Sequence, residues 1–271
     1  MEASLLAKAK TAASDAAVAA GQIARQHFGH EIISTEKDKF GDLVTHVDHL
    51  AEQKILTILM QQFPDHHLYS EESGHVGPDS EWMWLIDPLD GTHNYAVGLP
   101  LYGVVITLLY QQQPRLGVIY DSVLDRLYIG EQGHGTTCNG APIPLKPLHY
   151  HNRLKAPTAG WVQGYQVQQD PIAKRIRHQM EKQCKRVLNL WAPSLLWVML
   201  ARGDLDAIVV YQTEEEDLYA GVLIAQEAGA VITDFQGNSF TGMLDEPCLV
   251  AALPDQHEHI LHLVQAVLGS A

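Results

Sequence analysis

The segment that most constrains the fold is an apolar strand that ends directly in two aspartates. Trp82 to Ile86 is typical of a buried strand, and Asp87-Pro88-Leu89-Asp90-Gly91-Thr92 follows it at once. Proline fixes its own φ and keeps the preceding residue out of helical geometry. We therefore expect a turn in which Asp87 and Asp90 point toward one centre. In isolation such a turn is ordinary surface structure. The specific order of the six residues Asp87 to Thr92, directly after an apolar strand, favours a binding site instead.

The residue types in this turn suit a hard cation. Two carboxylates three positions apart, with the carbonyl of Leu89 between them, form an oxygen site of the kind that Mg²⁺ prefers. Gly91 lets the backbone approach a ligand closely, and a helix starting just after it would turn its first amides toward an anion. Three further carboxylates fall at turns or element ends: Asp48, Glu71 and Asp217.

Apolar spacing predicts the remaining elements. Helices are expected at Glu2 to Phe28, Asp48 to Phe63, Asp170 to Cys184, Ser194 to Ala201, Asp217 to Ala228 and His257 to Leu268. Strands are expected at Trp82 to Ile86, Tyr102 to Tyr110, Arg115 to Tyr120, Arg126 to Gly130, Ala207 to Tyr211, Val231 to Asp234 and Leu249 to Ala252. The middle strands indicate an antiparallel meander, whereas helices and strands alternate after Pro147. We therefore predict an α+β half over residues 1–146 and an α/β half over residues 147–271, with the boundary near Leu145 to Tyr150.

Charge and cysteine content exclude several classes of protein. A formal net charge of -14 opposes direct binding to nucleic acid or to anionic membranes. No apolar run approaches a membrane helix, and no secretory signal is apparent. Three cysteines without a CxxC pair suit a reducing cytosol, so we expect a cytoplasmic protein. The fifteen histidines include no HExxH motif, so we expect histidines at the surface rather than around a metal.

These motifs together resemble the inositol monophosphatase family, whose members are magnesium-dependent phosphatases. The central match is Trp84-Leu85-Ile86-Asp87-Pro88-Leu89-Asp90-Gly91-Thr92-His93-Asn94-Tyr95. Weaker matches occur in the same order as in the family: Asp42-Leu43-Val44-Thr45 before Asp48, Glu71-Glu72-Ser73, Gly117-Val118-Ile119-Tyr120, and Asp217-Leu218-Tyr219-Ala220-Gly221. The resemblance covers nearly the whole chain.

The resemblance implies a five-layer αβαβα sandwich, a homodimer and a site for Mg²⁺ between the two halves. The implied metal ligands are Glu71, Asp87, the Leu89 carbonyl, Asp90 and Asp217. Thr92, oriented by Asp48, would help Glu71 activate the attacking water, and the amides of Gly91 and Thr92 would hold the phosphate. Lys37 matches a lysine of a mobile loop near the metals.

The chain departs from the family at positions that recognise the substrate. Glu216 stands where the usual signature has tryptophan, and Trp191-Ala192-Pro193 replaces a small Gly-Ser/Thr-Ala segment. The place of a glutamate that binds the polyol in inositol-specific members falls on Val210. We interpret Glu214 to Glu216 as a solvated loop. Trp191 either presents its ring to a base or an imidazole or fills the core beneath the site.

The expected function is a Mg²⁺-dependent phosphomonoesterase for which inositol 1-phosphate is a poor substrate. A sugar bisphosphate, a nucleotide 3′-phosphate and histidinol phosphate are alternative substrates. A regulatory or binding protein with little turnover is the alternative from another class. The intact set Glu71, Asp87, Asp90, Thr92 and Asp217 argues against it, because a degenerate site should lose ligands.

Overall fold

The structure is a computed structural model that describes residues 2–37, 43–143, 156–214 and 216–269. The predicted boundary at Leu145 to Tyr150 and Asp42 of the upstream motif lie outside these residues. The division into two halves at residue 146 therefore stays a prediction.

The elements up to residue 143 begin with a helix and continue as a mainly β region. In chain order they are α1 (Glu2–His27), β1 (Ser34–Glu36), β2 (Leu43–Thr45), α2 (His46–Gln62), β3 (His67–Ser70), β4 (Gly74–Val76), β5 (Trp82–Asp90), α3 (Thr92–Ala96), β6 (Gly103–Tyr110), β7 (Gln113–Asp121), β8 (Arg126–Glu131), β9 (Gly135–Cys138) and β10 (Ala141–Pro142).

From residue 156 onward, helices and strands alternate. In chain order they are β11 (Thr158–Gln163), a 3-10 turn (Tyr165–Val167), α4 (Pro171–Gln183), β12 (Arg186–Leu188), α5 (Pro193–Arg202), β13 (Ala207–Tyr211), α6 (Tyr219–Glu227), β14 (Val231–Asp234), β15 (Cys248–Ala252) and α7 (His257–Leu268).

The first two layers are the helix pair α1 and α2 and the eight-stranded sheet beneath it. The inward face of α1 carries fully buried alanines whose small side chains let the helix lie close to its neighbours: Ala9, Ala12, Ala13, Ala16, Ala17, Ala20 and Ala24. The sheet has the strand order β10-β9-β8-β7-β6-β5-β3-β4. Every pairing from β5 to β10 is antiparallel, which confirms the predicted meander.

The remaining three layers complete the expected five-layer sandwich. Helices α5 and α6 lie between the eight-stranded sheet and a five-stranded sheet of order β12-β11-β13-β15-β14, and α4 and α7 cover the outer face. The second sheet is mixed, because β11 pairs in parallel with β12 and β13 while β15 is antiparallel to β13 and β14. Side chains alternate across β13, so Ile208 and Val210 face the central helices and Val209 faces the outer pair.

Two local predictions near the acidic residues are wrong. Asp87 to Asp90 do not leave β5 as a turn; the strand continues through them, and the pairing with β6 shifts register between Asp87 and Asp90. Asp217 does not open a helix, since it lies on a turn and α6 begins at Tyr219. A register shift within a strand therefore orients Asp87 and Asp90, and a turn orients Asp217.

Two expectations from composition agree with the described structure. Cys138, Cys184 and Cys248 are free thiols. Among the residues that the structure describes, no helix has the length and apolar character needed to cross a bilayer.

Candidate active site

Three aspartates from two distant parts of the chain meet beside a cavity. One carboxylate oxygen each from Asp87, Asp90 and Asp217 lies within 4.8 Å of the others. Asp87 and Asp90 are each 2% exposed at the end of β5, and Asp217 is partly buried on the turn before α6. Among the described residues, these three form the one group of ligand-type side chains close enough to hold a metal ion.

The electrostatics of this cluster favour a bound cation. Burial, followed by the charge of Glu71, raises the pKa of Asp87 well above its usual range. Burial, followed by the charge of Asp90, does the same for Asp217. Burial raises the pKa of Asp90 to about 7, although hydrogen bonds from Ser194 oppose the shift. A divalent ion would relieve this repulsion and offset the desolvation of the carboxylates, so the donor set fits a hard metal such as Mg²⁺.

The hydroxyl of Thr92 links the aspartate segment to helix α2. Thr92 Oγ1 lies 3.0 Å from Asp48 Oδ1 and 2.9 Å from the carbonyl oxygen of Leu89. Asp48 is itself held by Thr45, whose backbone amide donates to Asp48 Oδ2 at 2.9 Å and whose hydroxyl contacts the same oxygen. Burial raises the pKa of Asp48 to about 6, so the carboxylate is mainly ionised at neutral pH and can accept a hydrogen bond from the Thr92 hydroxyl.

Gly91 connects β5 to the short helix α3 in a conformation that favours glycine. Its φ is 92°, and a Cβ at this position would lie 2.7 Å from the carbonyl oxygen of Leu101. Gly91 and Thr92 both border the cavity, and Gly91 has no side chain that would separate its backbone from a ligand. This arrangement fits the predicted phosphate-binding role, because backbone amides at such a position can face an anion.

Glu71 lies on the same cavity but pairs with Lys37. Lys37 Nζ is 2.5 Å from Glu71 Oε1 and 2.6 Å from Glu72 Oε1. Burial alone would lower the pKa of Lys37, but the charges of Glu71 and Glu72 outweigh it and raise that pKa. Glu71 contacts the lysine rather than the aspartate cluster, and residues 38–42 after Lys37 lie outside the described part of the chain.

A cavity of about 480 Å³ extends from the aspartate cluster toward the second sheet. Trp191 and Pro193 line it, as expected for positions that recognise the substrate. Ala192 and Val210 are fully buried and do not line it, because Val210 faces the central helices. Trp191 is 54% exposed, so it does not fill the core beneath the site.

Several residues at the site were not predicted from the sequence. Glu216 is buried, so the interpretation of Glu214 to Glu216 as a solvated loop is wrong for this residue, while Glu214 is partly buried and lines the cavity. Ser194 contacts Asp90, and Glu52 accepts hydrogen bonds from the Ser73 amide at 2.9 Å and the Ser73 hydroxyl at 2.7 Å. No local motif marks these contacts, whereas the capping box formed by Thr45 and Asp48 has a recognisable spacing.

Sequence comparison places the site within a known family. The model of the inositol monophosphatase family matches residues 6–268. A fructose-1,6-bisphosphatase/inositol-1-monophosphatase of Aquifex aeolicus is 32% identical over 262 residues, covering 94% of this chain and 95% of the relative. The Nus factor SuhB of Vibrio cholerae is 30% identical over 254 residues, covering 93% and 94% of the two chains.

Solved structures of similar proteins share the fold. The extragenic suppressor protein suhB of Bartonella henselae superposes with a TM-score of 0.85 at 23% identity, covering 95% of this chain and 98% of the other. The inositol monophosphatase of Anabaena gives a TM-score of 0.82 at 27% identity, with 96% of both chains covered. With the matched residues extending over nearly the whole sequence, this chain belongs to the inositol monophosphatase family.

Proposed function

We propose that this protein is a Mg²⁺-dependent phosphomonoesterase that hydrolyses a small phosphate monoester with water. The observation that carries the proposal is the meeting of Asp87, Asp90 and Asp217 within 4.8 Å, beside a cavity of about 480 Å³. Buried carboxylates with raised pKa values are unfavourable without a cation. Family membership supports the same reaction class.

The residues that would hold Mg²⁺ are Asp87, Asp90, Asp217, Glu71 and the carbonyl of Leu89. When bound, the ions would neutralise charge on the phosphate and lower the pKa of bound water. Lys37 pairs with Oε1 of Glu71, so a metal would bind Glu71 through Oε2 or displace the lysine from Oε1.

The protein's own groups would orient the other reactants. Thr92, fixed by Asp48 at 3.0 Å, would position the attacking water through its hydroxyl oxygen. The backbone amides at Gly91 and Thr92 would hold the phosphate in the orientation that in-line attack requires. Such positioning contributes a large part of the catalysis of phosphoryl transfer.

One relative is called a fructose-1,6-bisphosphatase/inositol-1-monophosphatase, which makes a sugar phosphate a candidate substrate. The departures at Val210 and Pro193 argue against inositol 1-phosphate. A nucleotide 3′-phosphate and histidinol phosphate are the alternatives. Other relatives carry the name Nus factor SuhB, which corresponds to the regulatory alternative. The homodimer and the cytoplasmic location stay predictions from the resemblance and the cysteine content.

The test is phosphate release from a panel of phosphate monoesters, with and without Mg²⁺, for the wild type and for Asp90→Asn. We expect Mg²⁺-dependent turnover in the wild type and a loss of at least about 10²-fold in Asp90→Asn, because the variant removes one charge from the cluster. Asp79→Asn is the control, since Asp79 is exposed and does not line the cavity. A folded wild type that releases no phosphate from any ester would favour the regulatory alternative.

A further inference from the structure

The segment Leu190–Ser194 is tied at both ends to residues of the aspartate site. The side-chain amide of Asn94, in α3, donates to the carbonyl oxygen of Leu190 at 2.6 Å. At the other end, the backbone amide of Ser194 donates to Asp90 Oδ2 at 2.9 Å. The intervening residues are therefore held at a fixed position relative to the carboxylates. Trp191 lies in this segment.

Trp191 has an unfavourable backbone conformation and a large exposed apolar surface. Its φ is 52°, a left-handed conformation that is strained for a bulky side chain, and 54% of its surface is exposed. Strained residues persist where the surrounding structure determines them, and they occur often at binding sites. A large exposed aromatic surface at the edge of a cavity is likewise typical of a site that receives a ligand.

The position of the Trp191 ring connects it to the reacting end of the cavity. The ring lies edge-to-face against the ring of His93, with centroids 5.1 Å apart and an interplanar angle of 75°. His93 follows Thr92 directly, so the indole lies next to the proposed phosphate-binding backbone. Part of an ester that extends from the phosphate along this wall would meet the indole first.

The cavity is also lined by residues that carry hydrogen-bonding side chains. They include Gln168, Asn189, Thr213 and Glu214. A flat ring with nitrogen atoms at its edges uses both features, because its face covers the indole and its edges meet polar groups. A short acyclic polyol such as glycerol offers no flat face to the indole, so it gains less from this contact.

We propose that Trp191 is a stacking platform for a planar nitrogen heterocycle in the alcohol portion of the phosphate ester. The proposal rests on the phosphomonoesterase function and names its substrate class. The cavity volume lies within the range of about 300–1,000 Å³ that accommodates drug-sized ligands, so it admits a ring beyond the phosphate. A purine and an imidazole are the large and the small ring that the experiment compares.

The experiment compares kcat/KM for two heterocyclic esters with that for a polyol ester. The heterocyclic esters are adenosine 3′-monophosphate and 2-(imidazol-4-yl)ethyl phosphate, and the reference is glycerol 2-phosphate. We expect Trp191→Ala to lower kcat/KM for the preferred heterocyclic ester by roughly 5- to 150-fold more than for glycerol 2-phosphate, the loss typical of one stacked base. Trp191→Phe should recover most of this difference. Leu124→Ala, at a residue that is 56% exposed and does not line the cavity, is the control.

Equal losses for both classes of ester in Trp191→Ala would overturn the proposal. Equal losses accompanied by a change in oligomeric state would also overturn it, because Trp191 would then be a residue of an interface between copies. A second readout does not depend on turnover: adenosine or 2-(imidazol-4-yl)ethanol should quench tryptophan fluorescence in the wild type and not in Trp191→Phe. If no ester is hydrolysed, the phosphomonoesterase proposal fails by itself, and the quenching still tests the platform.

Discussion

Ser194 donates its backbone amide to Asp90 Oδ2 at 2.9 Å, and its hydroxyl contacts the same oxygen. The two residues are 104 positions apart, with Asp90 at the end of β5 and Ser194 in the first turn of α5. Both are buried. These contacts therefore fix the direction of the carboxylate and join the eight-stranded sheet to the central helices.

Ser194→Ala should weaken both metal binding and the fold, by similar free energies. The variant keeps the backbone amide and removes the hydroxyl, so Asp90 loses part of its orientation. Residues that orient a metal ligand typically contribute about 10- to 100-fold in metal affinity, and one hydrogen bond to a charged group contributes about 1.5–3 kcal/mol to stability. Isothermal titration with Mg²⁺ and urea unfolding measure the two effects. Ser14→Ala is the control: its hydroxyl donates to the carbonyl oxygen of Lys10 within α1, so its loss should leave Mg²⁺ affinity unchanged.

Gly91→Ala should lower turnover strongly, while Gly98→Ala should not. Both glycines have left-handed φ values, 92° and 80°, so both alanine variants lose about 1–2 kcal/mol from the backbone alone. Only at Gly91 does the new Cβ meet an atom, the Leu101 carbonyl oxygen at 2.7 Å; nothing lies within 4 Å of a Cβ at Gly98. Displacement of the phosphate-binding backbone can cost on the order of 10²-fold in rate. Comparable turnover in the two variants would show that the backbone at Gly91 does not hold the phosphate.

His66 should favour unfolding as the pH falls below about 6.5. His66 is 7% exposed, and its Nδ1 lies 3.2 Å from Trp84 Nε1, which donates to it. Burial lowers the pKa of His66 below 6.5, so below that pH this imidazole binds a proton more readily in the unfolded chain than in the folded one. As the pH is lowered from 7.5 to 5, the free energy of unfolding in urea of His66→Gln should therefore rise relative to that of the wild type.

His259→Gln provides the control for replacing a histidine, because His259 is exposed on α7. A pH dependence that is the same in wild type and His66→Gln would mean that His66 carries no part of the acid sensitivity.

Phosphatase activity should depend on Mg²⁺ and be inhibited by Ca²⁺. Calcium prefers more ligands and longer bonds, so it would occupy the carboxylate site without holding the reactants in line. Lithium should inhibit uncompetitively, as the family resemblance implies. Steady-state rates in each cation, with Mg²⁺ held constant, measure these effects. Equal turnover in Mg²⁺ and Ca²⁺ would contradict the expectation.

Long periodic elements were predictable from sequence, and short irregular ones were not. Helix α7 has the predicted bounds, His257–Leu268, because its apolar residues repeat every three or four positions. Strands of three residues such as β1 and β12 were missed because they are too short to show an alternation. The register shift in β5 was also missed, since it depends on pairing with β6.

Site residues that belong to sequence motifs were predictable, whereas contacts between residues distant in sequence were not. Asp87, Asp90 and Asp217 were predicted as ligands, and their side chains do meet. The contacts of Ser194 with Asp90 and of Glu52 with Ser73 join residues distant in sequence, and only the packing of the layers brings them together. The position of Glu214 likewise depends on how the segment after β13 lies against the cavity.

A cation shared by Asp87 and Asp217 would act as a reversible cross-link of the polypeptide. It would join the end of β5 to the turn before α6 and so close a loop through most of both sheets, as a disulfide between these positions would. Because only the folded chain holds the carboxylates together, the added resistance to unfolding would grow with the free Mg²⁺ concentration. The folded protein would then persist longer at a higher free Mg²⁺ concentration, and the rate of proteolysis near residue 217 would fall as that concentration rises.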